Sequence, residues 1–184
     1  MHPAATETRA PMNLPDLPQG IFRTYDIRGI VGEDLSEQIV EQIGLGLGVL
    51  LGAEGARTIT VGHDIRASSA PFARSVRVGI QKSGLDVIEV GEVPTPLLYW
   101  AVEHLGADGG VMITGSHNPR DHNGFKFVLG GRPFFGVDIQ RLGAVAASGD
   151  WESGSGRTEE RSVLEAYVER LLHGLAAVPK EPLK

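Results

Sequence analysis

The chain has 184 residues, 41% of them hydrophobic and 22% charged, with a formal net charge of −6 at pH 7 and no cysteine. This is an ordinary composition for a globular domain, and a chain of this size buries roughly 70% of its unfolded surface. The acidic balance argues against a general nucleic-acid or membrane-surface binder, and the lack of cysteine excludes disulfides and thiolate metal sites.

The first residues, MHPAATETRAPMNLPDLP, carry several prolines and no apolar stretch of the kind a signal peptide needs. Nothing further on approaches the ~18 consecutive apolar residues of a membrane span. Residues 1–18 therefore read as a flexible leader, and 19–184 as a single soluble, cytoplasmic domain. Helix and strand signals then alternate. Residues 34–52 put Ile39, Ile43, Leu47 and Leu51 at helical spacing, with Ser36 placed to cap the first turn. RTITVGHD is short and rich in β-branched residues, hence a strand. Residues 69–84 place Phe72, Val76 and Ile80 on one helical face and stop at Gly84. LDVIEVG is the next strand. A helix follows from Thr95, read as its cap, with Pro96 at the first helical position. DGGVMIT and FKFVLGG are two further strands. Residues 136–149 read as a helix, DWESGSGRTEE as a polar linker, and residues 162–178 as a final amphipathic helix. The pattern predicts a three-layer α/β/α fold on a mixed, largely parallel sheet of about four strands. In such sheets ligands sit beyond the carboxyl ends of the strands, where VGHD and MITGSHNP both fall.

GLGLG, from Gly44 to Gly48, is glycine-rich enough to be tested as a phosphate loop. It follows no strand and lies inside an amphipathic helix, so close helix packing is the better reading. Ser116 could belong to a nucleophile elbow, but the elbow needs Gly-x-Ser-x-Gly, whereas this chain has Thr114-Gly115-Ser116-His117-Asn118. A simple tight turn, built from Ser, Asn, Pro and Gly as turn formers, competes with any chemical reading.

TGSHNP followed by NGFK resembles the phosphoserine loop of the α-D-phosphohexomutases, the phosphoglucomutase and phosphomannomutase family. FRTYDIRG, VGHDIR and GEVPTP resemble further family stretches in the family's order, so that the matches span Phe22 to Lys126. The resemblance implies that Ser116 carries a phosphoryl group, donates it to a hexose phosphate and recovers one from a hexose 1,6-bisphosphate intermediate, which also serves as activator. It implies Lys126 as general acid/base, against a solvated strand lysine. It implies His117 in proton transfer or substrate contact, against a turn histidine. Arg28 matches an arginine of the active site, and since arginine stays protonated its role is charge stabilisation. Tyr25 matches a substrate-side tyrosine, with core packing as its rival. By the same resemblance Thr114, Gly115 and Asn118 are expected to order the loop, and Asp64 and Arg66 to brace it as an ion pair or through hydrogen bonds. Gly115 is expected to supply an unusual backbone angle and a close approach, and successive loop amides to form an anion-binding nest for the phosphate's charge of ~−1.5 to −2.

Family members bind Mg²⁺ through one phosphoserine oxygen and three aspartates of an Asp-Gly-Asp-x-Asp-Arg loop. This sequence lacks that loop, and Asp121 and Asp138 do not have its spacing. Only phosphorylated Ser116 is offered as a metal contact, and a lone phosphate contact holds Mg²⁺ weakly. The resemblance covers the first of four family domains, and VPKEPLK resembles the approach to the second. The expectation is a mutase phosphoserine domain, inactive alone, whose partners are hexose phosphates and the three other domains, with no nucleic acid or membrane among them. A phosphoglucosamine mutase domain and a non-catalytic phosphoprotein interaction module are the alternatives.

Overall fold

The computed structural model describes residues 15–130, 132–149, 151 and 153–176. The expected leader is described only from residue 15, where Leu17 is already buried in the core. VPKEPLK lies outside the described residues.

The sheet has six strands where about four were expected. The expected ones are β2 (Thr58–His63), β3 (Asp86–Glu92), β4 (Gly109–Ile113) and β5 (His122–Leu129). The additions are β1 (Ile27–Ile30) and β6 (Thr158–Glu160), which occupy the two sheet edges in the order β1-β5-β4-β2-β3-β6. Both are too short, at four and three residues, to show a pattern of their own. β6 falls within the stretch expected to be a linker, and its Thr-Glu-Glu is largely exposed, so only pairing with β3 makes it a strand. β5 also begins at His122, ahead of its apolar alternation, because His122 pairs with Ile30 across the β1 edge. Pairs β4/β2, β2/β3 and β3/β6 are parallel; β1/β5 and β5/β4 are antiparallel.

Helices cover both faces, giving three layers. On one face, α1 (Glu37–Ala53), α2 (Ser69–Lys82) and α4 (Val137–Ser148) contribute Ile43, Leu47, Val76, Ile80, Ile139 and Leu142. These pack on Ile59, Val61, Val111, Ile113 and Phe125 of the sheet. On the other, α3 (Thr95–His104) packs Leu97, Leu98 and Ala101 on Val90 and Met112, with Val163 alongside, just ahead of α5 (Leu164–Ala176). Val111 and Ile113 face one layer and Met112 the other, the period-2 alternation of a strand buried on both sides.

Ser36 caps α1, its hydroxyl accepting from Ile39 N. Thr95 does not cap α3: Pro94 is the N-cap and Thr95 is the first helical residue, so the helix starts one position earlier than expected. Gly44 and Gly48 sit in the α1–α2 contact. A Cβ on Gly44 would overlap the Val76 backbone, and one on Gly79 the Glu41 and Leu45 backbones, so these glycines let the two helices pack backbone to backbone. Among the described residues no helix is long and apolar enough to cross a membrane.

Candidate active site

β2 and β4 are parallel neighbours, so their carboxyl ends emerge side by side. Asp64 N donates to Ile113 O at 2.9 Å, joining the two strand ends. Past Ile113 the chain turns out of the sheet, and Thr114 N donates to Gly124 O at 3.0 Å on β5. Ser116 then adopts φ 52°, the one positive φ among the described non-glycine residues. The expectation had given the unusual angle to Gly115. Gly115 instead supplies the close approach, since a Cβ there would overlap the Arg66 guanidinium.

That guanidinium is the loop's anchor. Its Nη1 donates to Pro119 O (2.6 Å) and His122 O (3.0 Å), and its Nη2 to Ser116 O (3.1 Å) and Asn118 O (2.8 Å). Carbonyls spread over seven residues of backbone thus converge on one planar fork, a geometry lysine cannot supply. Asn118 tightens the turn further, its N (3.0 Å) and Nδ2 (2.8 Å) both donating to Gly115 O.

Asp64 works from the other side. Its Oδ2 accepts from Gly115 N at 3.2 Å and lies 3.6 Å from Arg66 Nε; its Oδ1 accepts from Arg66 N at 3.0 Å and from the Ser69 hydroxyl. Burial alone would push the Asp64 carboxyl up. The Ser69 hydroxyl, Arg66 N, the Thr114 hydroxyl and Gly115 N outweigh burial and hold it below the ordinary carboxylate value. The buried Asn123 extends the network, its Nδ2 donating to Ser68 Oγ (2.8 Å) and Ser69 Oγ (2.9 Å) while its Oδ1 accepts from Gly124 N (2.9 Å). Asp64 and Arg66 are therefore joined to the loop both as an ion pair and through hydrogen bonds.

The expected nest is largely occupied from within: Gly115 N is taken by Asp64, Ser116 N by Thr114 Oγ1 (2.9 Å), and Asn118 N by Gly115 O. Of the amides from Gly115 to Asn118 that leaves His117 N, so most of the countercharge for an anion at Ser116 falls to side chains. The Ser116 hydroxyl is exposed, with its Oγ 3.3 Å from His117 Nδ1. The rung at Gly124 joins Thr114 on one side to Arg28 of β1 on the other, and Lys126 follows two residues along β5. Arg28 and Lys126 share the buried carboxylate of Asp26: Oδ2 accepts from Arg28 Nε and Nη2, both at 2.7 Å, and lies 3.4 Å from Lys126 Nζ. Lys126 is thus half-buried in an ion cluster rather than a solvated strand lysine. Tyr25 does not pack in the core: it is 73% exposed and stacks on Phe135 with ring centroids 6.0 Å apart.

Asp26, Ser69 and Asn123 carry this geometry and were missed from sequence. Asp26 stands between Tyr25 and Arg28 in YDIRG, and Asn123 opens NGFK, so the motifs held the signal. Ser69 carried none, being one of many candidate capping serines.

No carboxylate hydrogen-bonds His117 among the described residues, so a Ser–His–acid relay is not assembled around Ser116. Nor do the residues make a magnesium site. The described residues include no group of three or more His, Asp or Glu able to hold a cation. Of the carboxylates at the loop, Asp64 already has its oxygens occupied by Gly115, Arg66 and Ser69, and Asp121 Oδ1 lies 2.7 Å from His122 Nδ1. The donor set of the described residues does not fit Mg²⁺.

Comparison with known proteins bears on the same loop. The family model for phosphoglucomutase/phosphomannomutase, alpha/beta/alpha domain I, matches residues 19–151. A phosphomannomutase/phosphoglucomutase of Pseudomonas aeruginosa is 39% identical over 170 residues, covering 92% of this chain and 36% of the relative. A phosphomannomutase of Salmonella typhimurium is 38% identical over 172 residues, covering 89% of this chain and again 36% of the relative. The crystal structure of a phosphoglucomutase/phosphomannomutase family protein from Burkholderia thailandensis superposes with a TM-score of 0.81 at 37% identity, covering 86% of this chain and 36% of that one. The chain therefore spans about a third of the length of these relatives. On the matched domain, the shared fold and the sequence identity together, it belongs to the phosphoglucomutase/phosphomannomutase family and comprises that family's domain I.

Proposed function

We propose that this domain is the phosphoserine-bearing part of a phosphohexomutase that interconverts hexose 1-phosphate and hexose 6-phosphate. The observation that carries the reading is Ser116: an exposed hydroxyl in a left-handed backbone, on a loop clamped by Arg66 and Asp64, with His117 Nδ1 3.3 Å from its Oγ and the Arg28–Asp26–Lys126 cluster on the neighbouring strands. Phosphoryl transfer is mainly positioning and electrostatics, and this arrangement offers both.

In this mechanism Ser116 Oγ carries the phosphoryl group. A substrate hydroxyl attacks the phosphorus, the Oγ–P bond breaks, and the serine oxygen leaves with the electron pair. The attacking hydroxyl's proton passes to a neighbouring base, for which the His117 imidazole serves, Lys126 being ion-paired with Asp26. Recapture of a phosphoryl from the 1,6-bisphosphate reverses the step at the other end of the sugar. Arg28 stabilises charge on the transferring group, and Tyr25 offers its exposed ring to the substrate. A cytoplasmic setting goes with this reading, since doubly charged sugar phosphates do not pass membranes unaided.

The isolated chain is read as inactive, because two phosphates need clamps on both sides of a cleft and this domain supplies one side. The test is intact-protein mass spectrometry before and after incubation with glucose 1,6-bisphosphate, together with turnover of glucose 1-phosphate. The full-length protein carrying this domain is expected to gain one phosphate at Ser116 and to lose turnover in Ser116→Ala. Phosphate that persists in Ser116→Ala, or unchanged turnover, would defeat the reading.

A further inference from the structure

Arg28 and Lys126 reach the site from different strands on long, flexible arms of like charge. Unrestrained, they would repel each other and sample a wide volume. Asp26 removes both difficulties. It directly precedes β1, and continuing the β1/β5 register one step beyond Ile27–Phe125 brings it opposite Lys126, while Arg28 shares its face two residues on. Asp26 is 5% exposed, yet the side chains of Arg28 and Lys126 are 24% and 28% exposed. The carboxylate is thus sealed beneath two cations whose outer faces stay open. The charge of Asp26 also reaches Tyr99 of α3, whose phenol is pushed above the ordinary value by burial first and then by that carboxylate.

We propose that Asp26 is a positioning residue that fixes the Arg28 guanidinium and the Lys126 ammonium as a single preformed clamp, of net charge +1, for the phosphoryl group in transfer at Ser116. It rests on the mutase reading above. One carboxylate oxygen shared by three N–H donors sets the spacing between the two cations, and a displacement of about 1 Å in such a clamp can cost ~100-fold in rate. Because the clamp acts on the charge of the group in transfer, its loss falls on kcat more than on KM.

Two measurements test this and fail separately. In the full-length protein carrying this domain, Asp26→Asn is expected to lower kcat for glucose 1-phosphate by about 10- to 100-fold while KM stays within about 3-fold. A kcat within about 3-fold of the unaltered enzyme overturns the proposal, as does a rise in KM that accounts for the whole loss. An unaltered protein without turnover or phosphoserine would instead defeat the mutase reading. The second measurement needs neither variant nor turnover. Side-chain hydrogen exchange by NMR on the present chain should find Arg28 Nε–H exchanging at least about 10-fold more slowly than that of the exposed Arg120. Equal rates would mean that Asp26 does not hold Arg28, and the clamp falls whatever the kinetics show.

Discussion

Ser116 holds a backbone conformation that costs a non-glycine residue roughly 1–3 kcal/mol, and its neighbours supply the restraint. Arg66 gathers the carbonyls, Asp64 and Thr114 take the amides, and Asn118 closes the turn. The Asp64 carboxyl has a lowered value in the folded chain, so its contribution to stability is fully present above the unfolded value of about 3.9 and is lost as pH falls through the folded one. Melting temperatures of the chain and of Asp64→Asn, followed from pH 7 to pH 3, should therefore converge at the acid end. A gap that stays constant across the range would show that the charge of Asp64 is not what holds the loop. At this scale the sequence was partly readable. TGSHNP, VGHDIR and YDIRG delivered Ser116, Arg66 and Arg28 by kind and position. That Gly115 N turns inward was not readable, because it depends on Asp64 arriving from another strand.

α1 and α2 meet through glycines, and this is the contact most sensitive to a single atom. Valine at Gly79 would drive its side chain into the Glu41 and Leu45 backbones, which cannot swing aside as a side-chain tip would. Gly79→Val should destabilise the fold by at least about 1–3 kcal/mol in urea denaturation, and a change under about 0.5 kcal/mol would show the helices are not in backbone contact. Elements with strong apolar periodicity, such as α1 and β4, were legible from sequence, and the glycine run was correctly separated from a phosphate loop by its helical context. β1 and β6 were not. Each is a short edge strand whose identity comes from the neighbour that completes its hydrogen bonds, and Thr158–Glu160 has no buried face to leave a pattern.

The whole molecule has a filled core on both sheet faces and, on α5, an apolar stripe outside it. Leu97 is fully buried, whereas Leu164, Val168, Leu171, Leu172 and Leu175 are all exposed, Leu172 at 58%. Leu97→Ala should cost about 2–5 kcal/mol of stability, and Leu172→Ala should stay within about 0.5 kcal/mol, both read from chemical denaturation of this chain. Comparable losses would mean that α5 is packed in solution in a way the isolated fold does not provide. The amphipathic pattern of residues 162–178 thus identified a helix correctly, but it did not tell which surface its apolar side meets.

By itself the sequence determined the α/β class, the helices and central strands, and the residue types gathered in the serine loop, because hydrophobic periodicity and turn chemistry act over a few residues. Only the tertiary structure decided the two edge strands, the left-handed Ser116, the capture of Gly115 N by Asp64, and the union of Arg28 and Lys126 on Asp26. Each of these joins groups far apart in the chain, from Asp26 to Lys126 or from Asp64 to Gly115, and no local pattern encodes a partner that only folding brings within hydrogen-bonding distance.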